Sequence, residues 1–175
     1  MPAGLPRLTF VLGGARSGKS AFAERLLEAA PGELVYLATG QAGDAEMAER
    51  IARHRARRGT RWRTVEAPLD PAAALHAVTG PVLLDCLTLW LSNRMAAGGD
   101  QDAAEAALLA ALAAARGPIA VVSNEVGLGI VPANALARAF RDRLGRLNQR
   151  VAASAERVVF LAAGLPLLLK DPGAG

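Results

Sequence analysis

Gly13-Gly14-Ala15-Arg16-Ser17-Gly18-Lys19-Ser20 is the stretch that decides how this chain folds. It matches G-x-x-x-x-G-K-[ST] at every fixed position. The apolar run Leu8 to Leu12 precedes it, and a helix-patterned segment, Lys19 to Ala29, follows. Strand, glycine-rich loop and helix in that order are the setting in which the pattern has a mechanism. Small residues let the backbone curl round a phosphate with its N–H groups pointing inward. The start of the helix adds a partial positive charge. In this reading Lys19 reaches the β- and γ-phosphates of a nucleoside triphosphate, and the Ser20 hydroxyl ligates a magnesium ion. The alternative is a fortuitous glycine-rich turn. Against it, Lys19 and Lys170 are the only lysines among 20 Lys and Arg residues. A chain that otherwise uses arginine keeps a compact ammonium where phosphates leave little room.

Working outward, five apolar runs read as buried strands: Leu8 to Leu12, Leu34 to Ala38, Val82 to Asp85, Ile119 to Ser123 and Val158 to Ala162. None shows sustained alternation, as expected when both faces are covered. Helical patterns fall between them at Asp44 to Arg58, Asp70 to Val78, Asp85 to Met95, Asp102 to Ala115 and Asn134 to Ala155. In the last, Leu136, Phe140, Leu144, Leu147 and Val151 form the apolar stripe. Alternating strands and helices predict an α/β protein with the P-loop NTPase fold, a mostly parallel central sheet flanked by helices and joined by right-handed crossovers. No repeat or linker divides the chain, so one domain over residues 1–175 is expected, with a frayed tail at Asp171 to Gly175. Ligands of such sheets bind at the carboxyl ends of the strands. Those ends carry Gly13-Gly14, Ala38-Thr39-Gly40, Asp85, Ser123-Asn124-Glu125 and Gly164.

Composition narrows the class. Apolar residues make up 52% of the 175 but aromatics only 4%, so the core must be mostly Ala, Leu and Val. A single cysteine, Cys86, excludes an internal disulfide and a multi-cysteine zinc site, and points to the cytoplasm. The first residues have no signal-peptide stretch, and no apolar run is long enough for a membrane span. The net charge of +4 is concentrated: seven arginines (Arg50, Arg53, Arg55, Arg57, Arg58, Arg61, Arg63) occur without an intervening acid. A cationic patch beside a nucleotide site serves a triphosphate more simply than nucleic acid. The scarcity of stacking aromatics also argues against a nucleic-acid partner.

Two residues have competing readings. Asp85 closes the apolar strand Pro81 to Asp85, where a P-loop protein places an acid that contacts magnesium directly or through water. It is equally placed to cap the next helix. His54 shares a helix face with Met47 and Ile51, as a packed histidine would. Its arginine neighbours allow another role. Nearby cations lower its pKa and make it a poor proton carrier. A neutral imidazole can still attack phosphorus while arginines neutralise the phosphate. His76, in an Ala/Leu segment without polar company, reads as structural.

Several segments together resemble one family. Besides the phosphate loop they are Tyr36-Leu37-Ala38-Thr39, Glu46-Met47 through Arg50-Ile51 to His54-Arg55, and Trp62 to Glu66. Leu84-Asp85-Cys86-Leu87-Thr88, Ser123-Asn124-Glu125-Val126-Gly127 through Pro132, and Gly145-Arg146-Leu147-Asn148-Gln149-Arg150 complete the set. The chain is similar over nearly its whole length to the bifunctional adenosylcobinamide kinase/adenosylcobinamide-phosphate guanylyltransferases of cobalamin synthesis. The Asn-Glu-Val-Gly segment is the most family-specific part.

The resemblance implies phosphorylation of adenosylcobinamide by ATP or GTP with Mg2+, then transfer of GMP from GTP to adenosylcobinamide phosphate. It implies a histidine–GMP intermediate, whose matching position is His54. It also implies guanine-nucleotide contacts from Ala38, Thr39, Gly40, Arg55, Ala56, Arg57, Arg58, Glu66 and Asp85, and a homo-oligomer, a trimer. Two positions depart from the family pattern: Gly59 stands where proline is frequent, and Leu12 where threonine is. The Ser123-Asn124-Glu125 loop either shapes the corrinoid side or is simply a tight turn. A kinase without nucleotidyl transfer, or a nucleotide-dependent regulatory binder, would keep the phosphate loop but have no need of a covalently labelled histidine. The two reactions attack a nucleotide at γ and at α, so the Asp44 to Arg58 helix is expected to move between them.

Overall fold

A computed structural model describes residues 5–43 and 45–171, excepting the side chains of Glu46, Met47, Arg50, His54 and Arg57. Asp44 and the last four residues of the expected tail lie outside the described residues.

The chain runs β1 (Leu8–Gly13), α1 (Lys19–Glu28), β2 (Leu34–Ala38), α2 (Ala45–Arg57), β3 (Trp62–Glu66), α3 (Pro71–Ala77), β4 (Val82–Asp85) and α4 (Leu87–Ala97). Then come α5 (Gln101–Ala114), β5 (Ile119–Val122), α6 (Ala135–Ser154), β6 (Arg157–Ala162) and β7 (Leu165–Lys170). The strands form one seven-stranded sheet in the order β3-β2-β4-β5-β1-β6-β7. Every neighbouring pair is parallel except the antiparallel pair β6 and β7.

The five expected strands are present, and two more join them. β3 escapes the apolar-run criterion because it lies at the sheet edge, half-exposed, with Arg63 and Glu66 interrupting it. β7 pairs back on β6 through Ala163 and Gly164, both in the left-handed region (φ 51 and 79). Two positive φ values in a two-residue loop suit the right-handed twist of a hairpin. An alanine at the first of them hides the signal. Asp171, expected to fray, instead pairs with Arg157 at 3.2 Å.

Both faces of the sheet are covered, which explains the near-continuous apolar strands. Leu8, Phe10, Leu37 and Leu84 face Trp90, Leu108, Leu112, Leu144 and Leu147 of α4, α5 and α6. Val11, Tyr36, Leu83 and Val122 face Ala23 and Leu27 of α1. Trp90, the largest fully buried side chain, satisfies its indole N–H on the Leu69 carbonyl at 3.1 Å. The α6 stripe holds at Leu144, Leu147 and Val151, but Leu136 is 67% exposed because the first turn of α6 runs clear of the sheet. His76 is exposed at the last turn of α3.

Helix starts divide by function. Asp70, Asn134 and Asp100 each accept a backbone N–H at the first turn of α3, α6 and α5. α1 has no side-chain cap and no acid in its first turn. An anion supplied from outside is the natural acceptor there.

An ion cluster ties α5 to α6. Glu105, 4% exposed, accepts from Arg143 Nε at 2.6 Å and Arg150 Nη1 at 3.0 Å, while Arg143 also pairs with Asp102. Removing the shared carboxylate leaves cations that fold against one another. Glu105→Ala is expected to lose about 3 kcal/mol in urea unfolding. A loss below about 0.5 kcal/mol would mean the cluster behaves as a surface pair.

Candidate active site

The phosphate loop follows β1 and is tied down on both sides. The Gly164 N–H donates to the Ser17 carbonyl at 3.1 Å, and the Glu125 N–H donates to the Gly13 carbonyl, also at 3.1 Å. Gly13 has no substitute, since a Cβ there would meet the Leu161 carbonyl oxygen and lie 2.7 Å from Ser17 Oγ. Gly18 takes the left-handed position (φ 95, ψ 6) that turns the chain into α1. Gly14, Ala15 and Ser17 are the small residues of the curl, and Arg16 within it also has positive φ, 55. Lys19 is 7% exposed, with Nζ donating to the Gly14 carbonyl at 2.5 Å and 3.5 Å from Ser17 Oγ. The ammonium therefore faces the loop's own interior. Ser20 opens α1 beside it.

A second feature lies on the same sheet edge. A cavity of about 440 Å³ is lined by Ala38 closing β2 and Gly40 just past it, Arg55 and Arg58 at the end of α2, Glu66 closing β3 and Asp85 closing β4. All six were singled out from sequence. Gly40 gives the wall a close fit: a Cβ would stand 3.3 Å from the Leu89 side chain, which would have to shift slightly. Ile51, Arg55 and Arg58 recur at helical spacing, so one face of α2 borders the cavity. Position 54 falls on that face by the same periodicity, three after Ile51 and four before Arg58. The His54 and Arg57 side chains lie outside the described residues. Ala56 is exposed and does not line the cavity.

Thr39 supports the site from below. It is fully buried, and its hydroxyl accepts the Cys86 N–H and donates to the Cys86 carbonyl, both at 2.8 Å. That clasp fixes the turn by which β4 passes into α4.

Asp85 has a partner whose importance sequence reading missed. The Tyr36 hydroxyl donates to Asp85 Oδ2 at 2.8 Å, and the Arg58 guanidinium lies over the Tyr36 ring, 3.5 Å from its centroid. Arg58 Nη2 also reaches Thr64 Oγ1 at 3.3 Å. Burial, reinforced by the Asp85 carboxylate, raises the Tyr36 phenol well above its usual range. Burial likewise pushes the Cys86 thiol up to about 11. Neither group is an anionic nucleophile near neutral pH. The Tyr36 signal was legible only in part: tyrosine in an otherwise aliphatic strand asks for a polar partner, but Asp85 is 49 residues away in the chain.

Sheet order sets the distance between the two features. β5 intervenes between β1 and β4, which places the Asp85 strand about 10 Å from the loop strand. The cavity and the phosphate loop are thus separate places on one edge.

The residues at both places are those by which a known family is recognised. The description "Cobinamide kinase / cobinamide phosphate guanyltransferase" matches residues 9–169. The chain belongs to that family. Among curated relatives, the "Bifunctional adenosylcobalamin biosynthesis protein CobP" of Pseudomonas aeruginosa is 52% identical over 165 residues, covering 91% of this chain and 95% of that protein. The CobU protein of Salmonella typhimurium, described in the same words, is 41% identical over 181 residues, covering 93% and 99%. Solved structures add the fold. The flagellar accessory protein FlaH from Methanocaldococcus jannaschii has a TM-score of 0.56 at 14% identity, over 97% of this chain and 81% of that one. A type III secretion ATPase has a TM-score of 0.58 at 13% identity, over 95% and 57%. Membership in the cobinamide kinase/guanylyltransferase family makes this chain an enzyme of cobalamin biosynthesis with the P-loop NTPase fold.

Proposed function

We propose that a single domain carries out two successive transfers. In the first, the γ-phosphoryl of ATP or GTP passes to the aminopropanol hydroxyl of adenosylcobinamide. In the second, GMP from GTP passes to the resulting phosphate with release of pyrophosphate, giving adenosyl-GDP-cobinamide. The observation that carries this reading is the pair of separate places on one sheet edge. The loop around Lys19 suits a nucleotide attacked at γ; the cavity beside Arg55 and Arg58 suits one attacked at α.

In the second transfer His54 attacks the α-phosphorus and holds GMP until the cobinamide phosphate displaces it. Two nucleophiles that line the cavity, Cys86 and Tyr36, are held protonated, which favours the histidine on α2 as the attacking group. Arg55 and Arg58, with Arg57, balance charge on the phosphates, and Glu66 and Gly40 border the base. α2 can approach the loop because, among its described side chains, Ile51 is half-buried while Arg53, Arg55 and Ala56 are exposed. Finding α2 in one place with and without GTP would count against that movement.

Magnesium fits the oxygen donors available. The Ser20 hydroxyl would ligate it beside the phosphates, and the Asp85 carboxylate, held through one oxygen by Tyr36, would reach it through water. Bound there, it would neutralise charge on the phosphates. No group of three or more His, Cys, Asp or Glu exists among the described residues, and a phosphate-bound Mg2+ needs none.

The experiment is incubation with α-labelled GTP and Mg2+, then denaturation. Acid-labile, base-stable label on the protein supports the reading. Bound GTP without label would remove the transferase half and favour a plain kinase.

The nucleotide substrates and the single cysteine, Cys86, support a cytoplasmic location. The assembly is a homo-oligomer, a trimer, built on Leu165, Leu167, Leu168 and Leu169 of edge strand β7 and on Leu128, Ile130 and Val131 of the loop after β5. All seven are at least half exposed, and the four leucines lie along an unpaired edge of the sheet. Light scattering should give the mass of three chains, and Leu167→Asp with Leu169→Asp should reduce it. A monomeric wild type would exclude the assembly.

A further inference from the structure

The chemistry of the loop after β5 is unused by either site described so far, yet its backbone is attached to the phosphate loop. The Ser123 N–H donates to the Val11 carbonyl at 3.0 Å, and the Glu125 N–H to the Gly13 carbonyl at 3.1 Å. The chain thus stays alongside β1 for three residues past the end of β5, up to the first residue of the phosphate loop. Two more bonds fix the segment from behind: the Asn124 N–H donates to Thr88 Oγ1 at 2.9 Å, and Asn148 Nδ2 donates to the Asn124 carbonyl at 3.1 Å.

The Glu125 carboxylate is oriented as well. Its Oε1 accepts the Gly127 N–H at 2.6 Å, and a Cβ on Gly127 would stand only 2.8 Å from that oxygen. Glycine two residues on is therefore what permits the carboxylate to fold back. Oε2 has no hydrogen-bond partner among the described residues. Other carboxylates that close strands on this edge are engaged and more distant. Asp85, one strand further, takes the Tyr36 hydroxyl; Glu66, at the sheet margin, pairs with Arg55 at 3.7 Å.

We propose that Glu125 is the general base of the kinase transfer, a role that rests on the function proposed above. An alcohol attacking phosphorus needs a group that orients it and receives its proton. The aminopropanol oxygen forms its bond to the γ-phosphorus as the bond from that phosphorus to the β–γ bridging oxygen breaks. The nucleoside diphosphate leaves with the electron pair, and the alcohol proton passes to Glu125 Oε2 and on to solvent. The guanylyl transfer has no use for this base, because its acceptor is already an anionic phosphate.

Glu125→Gln separates this role from a merely structural one. The glutamine carbonyl oxygen still accepts the Gly127 N–H, so the turn survives while the basic oxygen is lost. The expected result is a kinase kcat about 10²-fold lower, with nucleotide KM unchanged. Labelling of the enzyme by α-labelled GTP should stay within about twofold, a tolerance small beside the effect of a lost base. Glu125→Asp should recover part of the kinase rate.

A Glu125→Gln enzyme that phosphorylates adenosylcobinamide at the wild-type rate would overturn the proposal and leave Glu125 a turn residue. So would equal loss of both transfers, whether with a lowered thermal midpoint (a folding role) or with a raised Mg2+ requirement (a metal ligand). Wild-type turnover is measured alongside. A wild type inactive toward adenosylcobinamide removes the functional reading itself and the base with it.

Discussion

Lys19→Ala is expected to lower kinase turnover by about 10³-fold, the scale set by deleting a charged donor that meets developing negative charge. Lys19 is buried at 7% exposure with its ammonium on the Gly14 carbonyl and 3.5 Å from Ser17 Oγ, so it is already where a β–γ bridge would lie inside the loop. Nucleotide affinity should fall with it, as measured by equilibrium dialysis of labelled GTP. The fold should survive. The loop's shape depends on Gly13, Gly18 and the backbone bonds to Gly164 and Glu125, none of which uses the lysine side chain. Lys19→Arg should not restore the rate, because a planar fork is a poor replacement for a point charge in so small a space. Unchanged turnover and affinity in Lys19→Ala would overturn the assignment of the phosphate loop.

The second large effect is on covalent chemistry. His54→Ala should abolish the acid-labile label from α-labelled GTP, while kinase turnover of adenosylcobinamide stays within about threefold, well short of the loss that follows removal of a catalytic group. A partial fall would not suffice, because the thiol and the phenol described in the cavity are both held protonated. The Cys86 thiol is pushed up to about 11 by burial, and the Tyr36 phenol is raised and committed to Asp85. Label that persists in His54→Ala would locate the intermediate elsewhere. Loss of both transfers in that variant would mean instead that α2 supports the kinase site.

Much of this site could be read before any coordinates. The phosphate-loop pattern is a local device: eight consecutive residues and the two elements beside them determine it, so Gly13, Gly18 and Lys19 stand where the pattern requires. Helix caps are equally local, as Asp70, Asp100 and Asn134 demonstrate. Of the residues bordering the cavity, Ala38, Gly40 and Asp85 were legible as strand ends and Arg55 and Arg58 as a basic patch, while Glu66 came from resemblance. No local rule brings Gly40, Arg55, Glu66 and Asp85 together.

What the amino-acid order determined by itself was the alternation of strand and helix, the phosphate loop and the carboxyl edge on which ligands collect. These follow from periodicity and from short-range backbone geometry. Strand order was a different matter. That β5 separates β1 from β4, that Tyr36 grips Asp85, and that Glu125 lies against Gly13 all depend on contacts between segments distant in the chain. Only the closed sheet decides them, because the free energy that selects one strand order comes from covering both of its faces at once, and no short stretch of sequence holds both faces.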